Sequence, residues 1–267
     1  MFQRLLVPVD GSESSWRAVT AAARMAEDVA GEVEVVTVVD RVGEVPYAEQ
    51  MLHDGIAKLD GLTLTPDVKV LASDTVAQAV SRRIDDLNGA MVVMSAHGHG
   101  RSAAVFGSVV DDLLRTMFGP LVVIGPQVDL HAIAMGGIYV VPIDGSDVSE
   151  MIIPIAQAWA IEFGGRPRLV EWIETSATDP TSEPSAVAGL AATMSRESNH
   201  VIEAELLSGD APGPAIVKAV ERLGASMVFM TTHGRTGLRR LRLGSVAADL
   251  IRSLNCPVVV YRPPHLV

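Results

Sequence analysis

Leu5-Leu6-Val7-Pro8-Val9-Asp10-Gly11-Ser12, near the start of the chain, returns as Tyr139-Val140-Val141-Pro142-Ile143-Asp144-Gly145-Ser146. Each is a short apolar run that breaks on an acid, a glycine and a serine. Three more blocks recur in the same order. Met94-Ser95-Ala96-His97-Gly98 returns as Met230-Thr231-Thr232-His233-Gly234, and Gly107-Ser108-Val109 as Gly244-Ser245-Val246. Pro120-Leu121-Val122-Val123 returns as Pro257-Val258-Val259-Val260. The separation drifts only from 134 to 137 residues, which points to duplication. The chain therefore reads as two copies of one domain, residues 1–127 and 135–267. Gly125-Pro126 and Gly136-Gly137 bracket a join too short for a free linker, so the copies are expected to pack together.

Each copy has one grammar. In the first, residues 4–9, 33–39, 67–72, 90–94 and 121–124 are apolar runs of strand length. Ser14-Ser15-Trp16 opens an Ala-rich helix that stops at Gly31, and further helices are expected over 75–88 and 108–117. The second copy places strands near 138–143, 167–173, 202–207, 225–230 and 258–261. Apolar strands alternating with helices predict two tandem doubly wound, Rossmann-like α/β domains. Each should have a five-stranded, mostly parallel sheet with helices on both faces.

Composition bounds the function. Of 267 residues, 48% are hydrophobic and only 4% aromatic, so an aliphatic core is expected. The net charge of −11 argues against nucleic acid and anionic membranes as partners. No apolar run reaches the roughly 18 residues of a spanning helix. Met1-Phe2-Gln3-Arg4 runs into Pro8 and Asp10 too soon for a signal peptide. A cytoplasmic location is the expectation. The single cysteine, Cys256, can form no internal disulfide and reads as a packed thiol.

Ligands of open parallel sheets bind beyond the carboxyl ends of the strands, where the strand order reverses. Two features fall at those ends. Asp10-Gly11-Ser12 and Asp144-Gly145-Ser146 follow the first strand of each copy. They read either as a turn and helix cap or as a carboxylate for a ligand hydroxyl or amine. Gly98-His99-Gly100-Arg101 and Gly234-Arg235-Thr236-Gly237 follow the fourth strand and lead to Gly107-Ser108 and Gly244-Ser245 at a helix start. Small residues there let backbone N–H groups and the helix dipole face a phosphate. Neither loop is a Walker A or GxGxxG sequence. Arg235, Arg239, Arg240 and Arg242 lie in the second loop, as a solvated face or as counter-charge for a polyphosphate. His97-Gly98-His99 lacks a third ligand, so no metal site is expected. No Gly-x-Ser-x-Gly and no Ser/His/Asp series is present, so no catalytic residue is assigned.

These residues resemble the universal stress protein family in its tandem form. The family pattern Gly-x2-Gly-x9-Gly-Ser/Thr stands here as Thr231-x2-Gly234-x9-Gly244-Ser245, and as Ser95-x2-Gly98-x8-Gly107-Ser108 in the first copy. The resemblance covers the whole chain. It implies an ATP-binding fold of five parallel strands serving stress adaptation. Asp10 and Asp144 would meet adenine or ribose, and the backbones of Val38 and Trp172 the adenine edge. Ser95, Gly98, Gly107, Ser108 and Val109 would line the phosphates in one copy, and Thr231, Gly234, Gly244, Ser245 and Val246 in the other. A glutamate at Gly234 or Gly244 is expected to repel phosphate with the fold intact. Ser95 and Thr231 depart from the pattern's first glycine, and the first loop is one residue short.

The leading function is nucleotide-tuned regulation, with Mg²⁺ accompanying ATP. The alternatives are an interaction module with vestigial pockets, a slow ATPase and an AMP-transferring enzyme; no lysine stands in either loop for the last.

The resemblance also places the last strand of each copy at a sheet edge. Leu121–Ile124 and Val258–Tyr261 are apolar, and such edges are normally covered. The expectation is an intramolecular pseudo-dimer, with homodimerisation left to another surface. Isolated residues 1–127 should then self-associate. A stable monomer, with fast amide exchange in the last strand of the full-length chain, would overturn the pairing.

Overall fold

A computed structural model describes residues 3–96, 108–117, 119–173, 186–198, 201–232 and 244–263. The chain divides into two compact units, Met1–Ala134 and Met135–Leu266. In the first, the strands are β1 (Arg4–Pro8), β2 (Glu32–Val39), β3 (Asp67–Ala72), β4 (Met91–Ser95) and β5 (Leu121–Ile124). The helices are α1 (Glu13–Val29), α2 (Val45–Ile56), α3 (Val76–Asp86) and α4 (Ser108–Thr116). The sheet order is β3-β2-β1-β4-β5, and every pair is parallel.

The second unit repeats this with β6 (Gly137–Ile143), β7 (Gly165–Ile173), β8 (Glu203–Ser208), β9 (Met227–Thr231) and β10 (Val258–Tyr261). Its order is β8-β7-β6-β9-β10, again parallel throughout. Its helices are α5 (Asp147–Glu150), α6 (Ile153–Phe163), α7 (Ala186–Ser198), α8 (Pro212–Leu223) and α9 (Ser245–Ser253).

Crossovers in parallel sheets are right-handed. The connections through α1 and α2 therefore cover one face of the first sheet, and those through α3 and α4 the other. Alanines 18, 21, 22, 23 and 26 of α1 are buried, so its backbone can lie close against β1 and β4. α3 is tied to β2 by the fork of Arg83, which donates to both oxygens of Glu34 at 2.7 and 2.6 Å. Arg17 of α1 donates to the carbonyl of Val128 at 2.8 Å and holds the segment after β5 against the first unit.

Four sequence expectations need correction. α1 begins at Glu13 with Ser12 as its cap, not at Ser14, because the Ser12 hydroxyl already accepts from the Ser15 N–H. The left-handed residue that ends α1 is Ala30 (φ 49°), not Gly31. The counterpart of α1 in the second unit is split in two. Pro154, in the first turn of α6, has no N–H for a carbonyl one turn earlier, so one continuous helix cannot form. And the second core, aliphatic for the most part like the first, also takes in Trp159, Tyr139 and Phe229, all fully buried, with Phe229 4.8 Å from Tyr139 and 5.2 Å from Trp159 between ring centres. A low aromatic fraction does not say where the few aromatics go.

Cys256 is buried at the entrance to β10, and burial pushes its thiol from 9.0 up to about 12. Between those values the unfolded chain ionises at this residue and the folded chain does not. The thiol's contribution to stability is thus full below pH 9 and lost as the pH climbs toward 12. An aromatic disulfide reagent should leave native Cys256 unlabelled at pH 8 and label it with the same denaturant midpoint as unfolding. Rapid labelling of the native chain would contradict this burial.

Candidate functional site

Both units build the same turn at the end of their first strand. Gly11 (φ 81°) and Gly145 (φ 74°) take left-handed backbone, which brings the next serine back under the preceding aspartate. Asp10 Oδ1 accepts from the Ser12 N–H at 3.0 Å and from its hydroxyl at 2.5 Å. Asp144 Oδ1 accepts from the Ser146 N–H at 3.1 Å and its hydroxyl at 2.5 Å. The same serine oxygen then caps the following helix. Ser12 Oγ accepts from the Ser15 N–H, and Ser146 Oγ from the Ser149 N–H, each at 3.2 Å. Buried Ser15 and Ser149 donate back to the Ser12 and Ser146 carbonyls at 2.8 Å. One carboxylate oxygen of each aspartate therefore belongs to the turn.

The sheet order reverses between β1 and β4, and between β6 and β9. The crevice that such a reversal opens is flanked by Asp10 and Ser95 in one unit, and by Asp144 and Thr231 in the other. Val38 lies on its margin. β1 pairs with β2 up to Pro8 opposite Val36, and the Val9 N–H donates to the Val36 carbonyl at 2.8 Å. The Ser73 N–H donates to the Val39 carbonyl at 3.0 Å on the β3 side. Successive residues of a strand face opposite neighbours, so the N–H and C=O of Val38 face the β1 side, beyond its ladder. A donor and an acceptor side by side suit the edge of a planar base.

Trp172 holds the matching position on β7, two residues past Val170, which pairs with Pro142. Its indole N–H donates to the Gly209 carbonyl at 3.1 Å, just past the end of β8. The ring is therefore drawn toward β8, away from β6.

The phosphate-type loops are described at their ends. Ser95 and Thr231 are the last ladder residues of β4 and β9, paired with Ile124 and Tyr261 and nearly buried. In extended backbone a β-branched residue is at home, so Thr231 costs the strand nothing. Gly244 caps α9, donates its N–H to the Thr232 carbonyl at 2.9 Å, and closes the loop at its neck. A Cβ on Gly244 would stand 2.9 Å from that carbonyl oxygen. The expected clean effect of a glutamate there is thus corrected, because any side chain displaces backbone. Ser245 is exposed in the first turn of α9, with Val246 beside it. In the first unit Ser108 opens α4 and Val109 follows. Gly98, Gly107 and Gly234 lie outside the described residues, as do His97, His99, Arg235, Arg239, Arg240 and Arg242. Among the described residues no group of three or more His, Cys, Asp or Glu side chains could hold a metal ion. No helix among them is long and apolar enough to cross a membrane.

The sequence reading missed α2. Its Met51 places sulphur 3.5 Å from where a Cβ on Gly11 would stand, so this helix abuts the Asp10 turn. The i, i+4 pair Ala48 and Leu52, both buried, was its available signal.

The fold defines a tandem, doubly wound α/β protein with a crevice at the switch point of each sheet. Two stretches, residues 1–125 and 138–262, match the model of the universal stress protein family. A universal stress protein of Methanocaldococcus jannaschii is 34% identical over 140 residues, covering 47% of this chain and 81% of that protein. One from Mycobacterium tuberculosis is 30% identical over 197 residues, covering 66% of this chain and 60% of its own length. The crystal structure of a universal stress protein from Archaeoglobus fulgidus superposes with a TM-score of 0.68 at 18% identity, covering 97% of this chain and 98% of that one. The chain belongs to the universal stress protein family, in a tandem two-domain form.

Gly244→Ala should destabilise the second unit by about 1–3 kcal/mol, since the added methyl must displace the Thr232 carbonyl. Urea unfolding followed at the second unit's tryptophans checks this, and an unchanged midpoint would show that the loop neck is loose.

Proposed function

We propose that this chain is an ATP-binding regulatory protein of stress adaptation, with nucleotide taken up at the switch-point crevices and its occupancy tuning conformation or partner binding. The observation that carries the reading is the strand order. It brings the aspartate turn of the first strand beside the end of the fourth, twice in one chain. Val38 and Trp172 would offer backbone to the adenine edge, and Asp10 and Asp144 would meet adenine or ribose. The start of α9, where Gly244 caps the helix and Ser245 is exposed with Val246 beside it, supports a phosphate position, because the helix dipole and the first-turn N–H groups, which have no partner within the helix, favour an anion there. Ser108 and Val109 stand at the corresponding start of α4. Ser95, Thr231, Gly98, Gly107 and Gly234 complete the cradle in this reading. Bound Mg²⁺ would neutralise phosphate charge, which matters for a chain of net charge −11. No residue is assigned to catalysis, and action in the cytoplasm belongs to the same proposal.

One observation favours a second reading, an interaction module without nucleotide. The Oδ1 atoms of Asp10 and Asp144 already serve Ser12 and Ser146.

Ser245→Glu separates the two. An acidic residue in the first turn favours the helix by about 0.3–1 kcal/mol, so the fold should hold. The same carboxylate opposes phosphate. Calorimetric titration with Mg-ATP should show binding to the parent chain and at least a tenfold loss at the second site of the variant, about 1.4 kcal/mol. No binding to the parent at millimolar ATP would leave the module reading standing.

A further inference from the structure

A cleft of about 680 Å³ opens in the first unit between the start of α1 and one face of α2. Trp16 of α1 lies directly against Gly55 of α2; a Cβ on Gly55 would come within 2.0 Å of the indole ring. The glycine thus fixes the ring as one wall. Met51 extends the wall toward Gly11, and Tyr47, 81% exposed, stands at the mouth. Glu13 and Asp54 add two carboxylates to this aromatic lining. Among the described residues no cation pairs with either. The Asp54 carboxylate accepts a hydrogen bond from Gln50 Nε2 at 2.7 Å, and Lys58, one turn further on, makes no ion pair with it.

We propose that this cleft binds a small amphiphilic organic cation, an arylalkyl or alkyl ammonium ion. Ligand pockets of small molecules run from roughly 300 to 1,000 Å³, so the size fits. Aromatic faces attract ammonium groups through the ring quadrupole, and nearby carboxylates supply the counter-charge. Two acids outweigh the one lysine, and the chain as a whole carries −11, so an anionic ligand of the same shape meets repulsion. Met51 and Trp16 take the apolar part of the ligand. The site belongs to the first copy only. At the corresponding positions of the second copy Gly145 and Asp147 match Gly11 and Glu13, but Trp16 is replaced by Glu150, which removes the wall.

Calorimetric titration of the full chain, without nucleotide, tests this with three probes of one shape: phenethylammonium, 2-phenylethanol and 3-phenylpropionate. The ammonium ion should bind one site at least tenfold tighter than the alcohol, and the carboxylate should bind weakest. The paired substitution Glu13→Gln with Asp54→Asn should weaken the ammonium ion at least tenfold and leave the alcohol unchanged. Both changes are isosteric and on exposed residues, and the probe series needs no variant at all. Equal binding of ammonium and carboxylate, an ammonium affinity untouched by the paired substitution, or no saturable binding up to about 10 mM would each overturn the proposal.

Discussion

The architecture rests on one constraint: a helical crossover between parallel strands turns with a single hand. The chain can lay strands outward in one direction and then must choose whether to continue or reverse. Here it reverses after the third strand, so β4 settles on the far side of β1, and β9 on the far side of β6. The reversal puts helices on both faces and buries the strands between them, which is why β4, β5 and β9 read as unbroken apolar runs. It also leaves a crevice where neighbouring crossovers part company. The residues that follow the first strand of each copy, Asp10-Gly11-Ser12 and Asp144-Gly145-Ser146, are small and polar and border that crevice.

The turn after the first strand ties the frame to the site. A left-handed glycine lets an aspartate oxygen take two hydrogen bonds from a serine, and that serine caps the next helix. One small motif therefore ends a strand, starts a helix and orients a carboxylate at the switch point. Its repetition with matching distances in the second unit shows that the geometry is encoded locally.

Around this shared frame the two units have diverged by packing. Pro154 breaks the helix that is continuous in the first unit. A buried aromatic cluster joins the aliphatic core, and Trp172 is tethered by Gly209 where the first unit has Val38. Trp16, seated on Gly55, shapes a cleft that the second copy's Glu150 cannot reproduce. The copies keep the same strands and crevice position while presenting different surfaces.

The sequence by itself determined the duplication, the α/β class, the strands and the positions of Asp10, Asp144, Val38 and Trp172 at strand ends. Apolar runs of strand length and repeated breaks depend only on neighbours along the chain, so they are visible without a structure. The tertiary structure decided what depends on residues distant in sequence. Gly244 is needed because the Thr232 carbonyl stands where its side chain would be, and no local pattern announces that contact. α2 escaped notice because most of its surface is exposed and Ala48 and Leu52 are its only buried residues. The direction of Trp172 was open until Gly209 of the next turn supplied a carbonyl for its N–H. Local physics writes the elements; close approach between remote segments chooses their partners, because steric exclusion and hydrogen bonding act over a few ångströms of space whatever the separation along the chain.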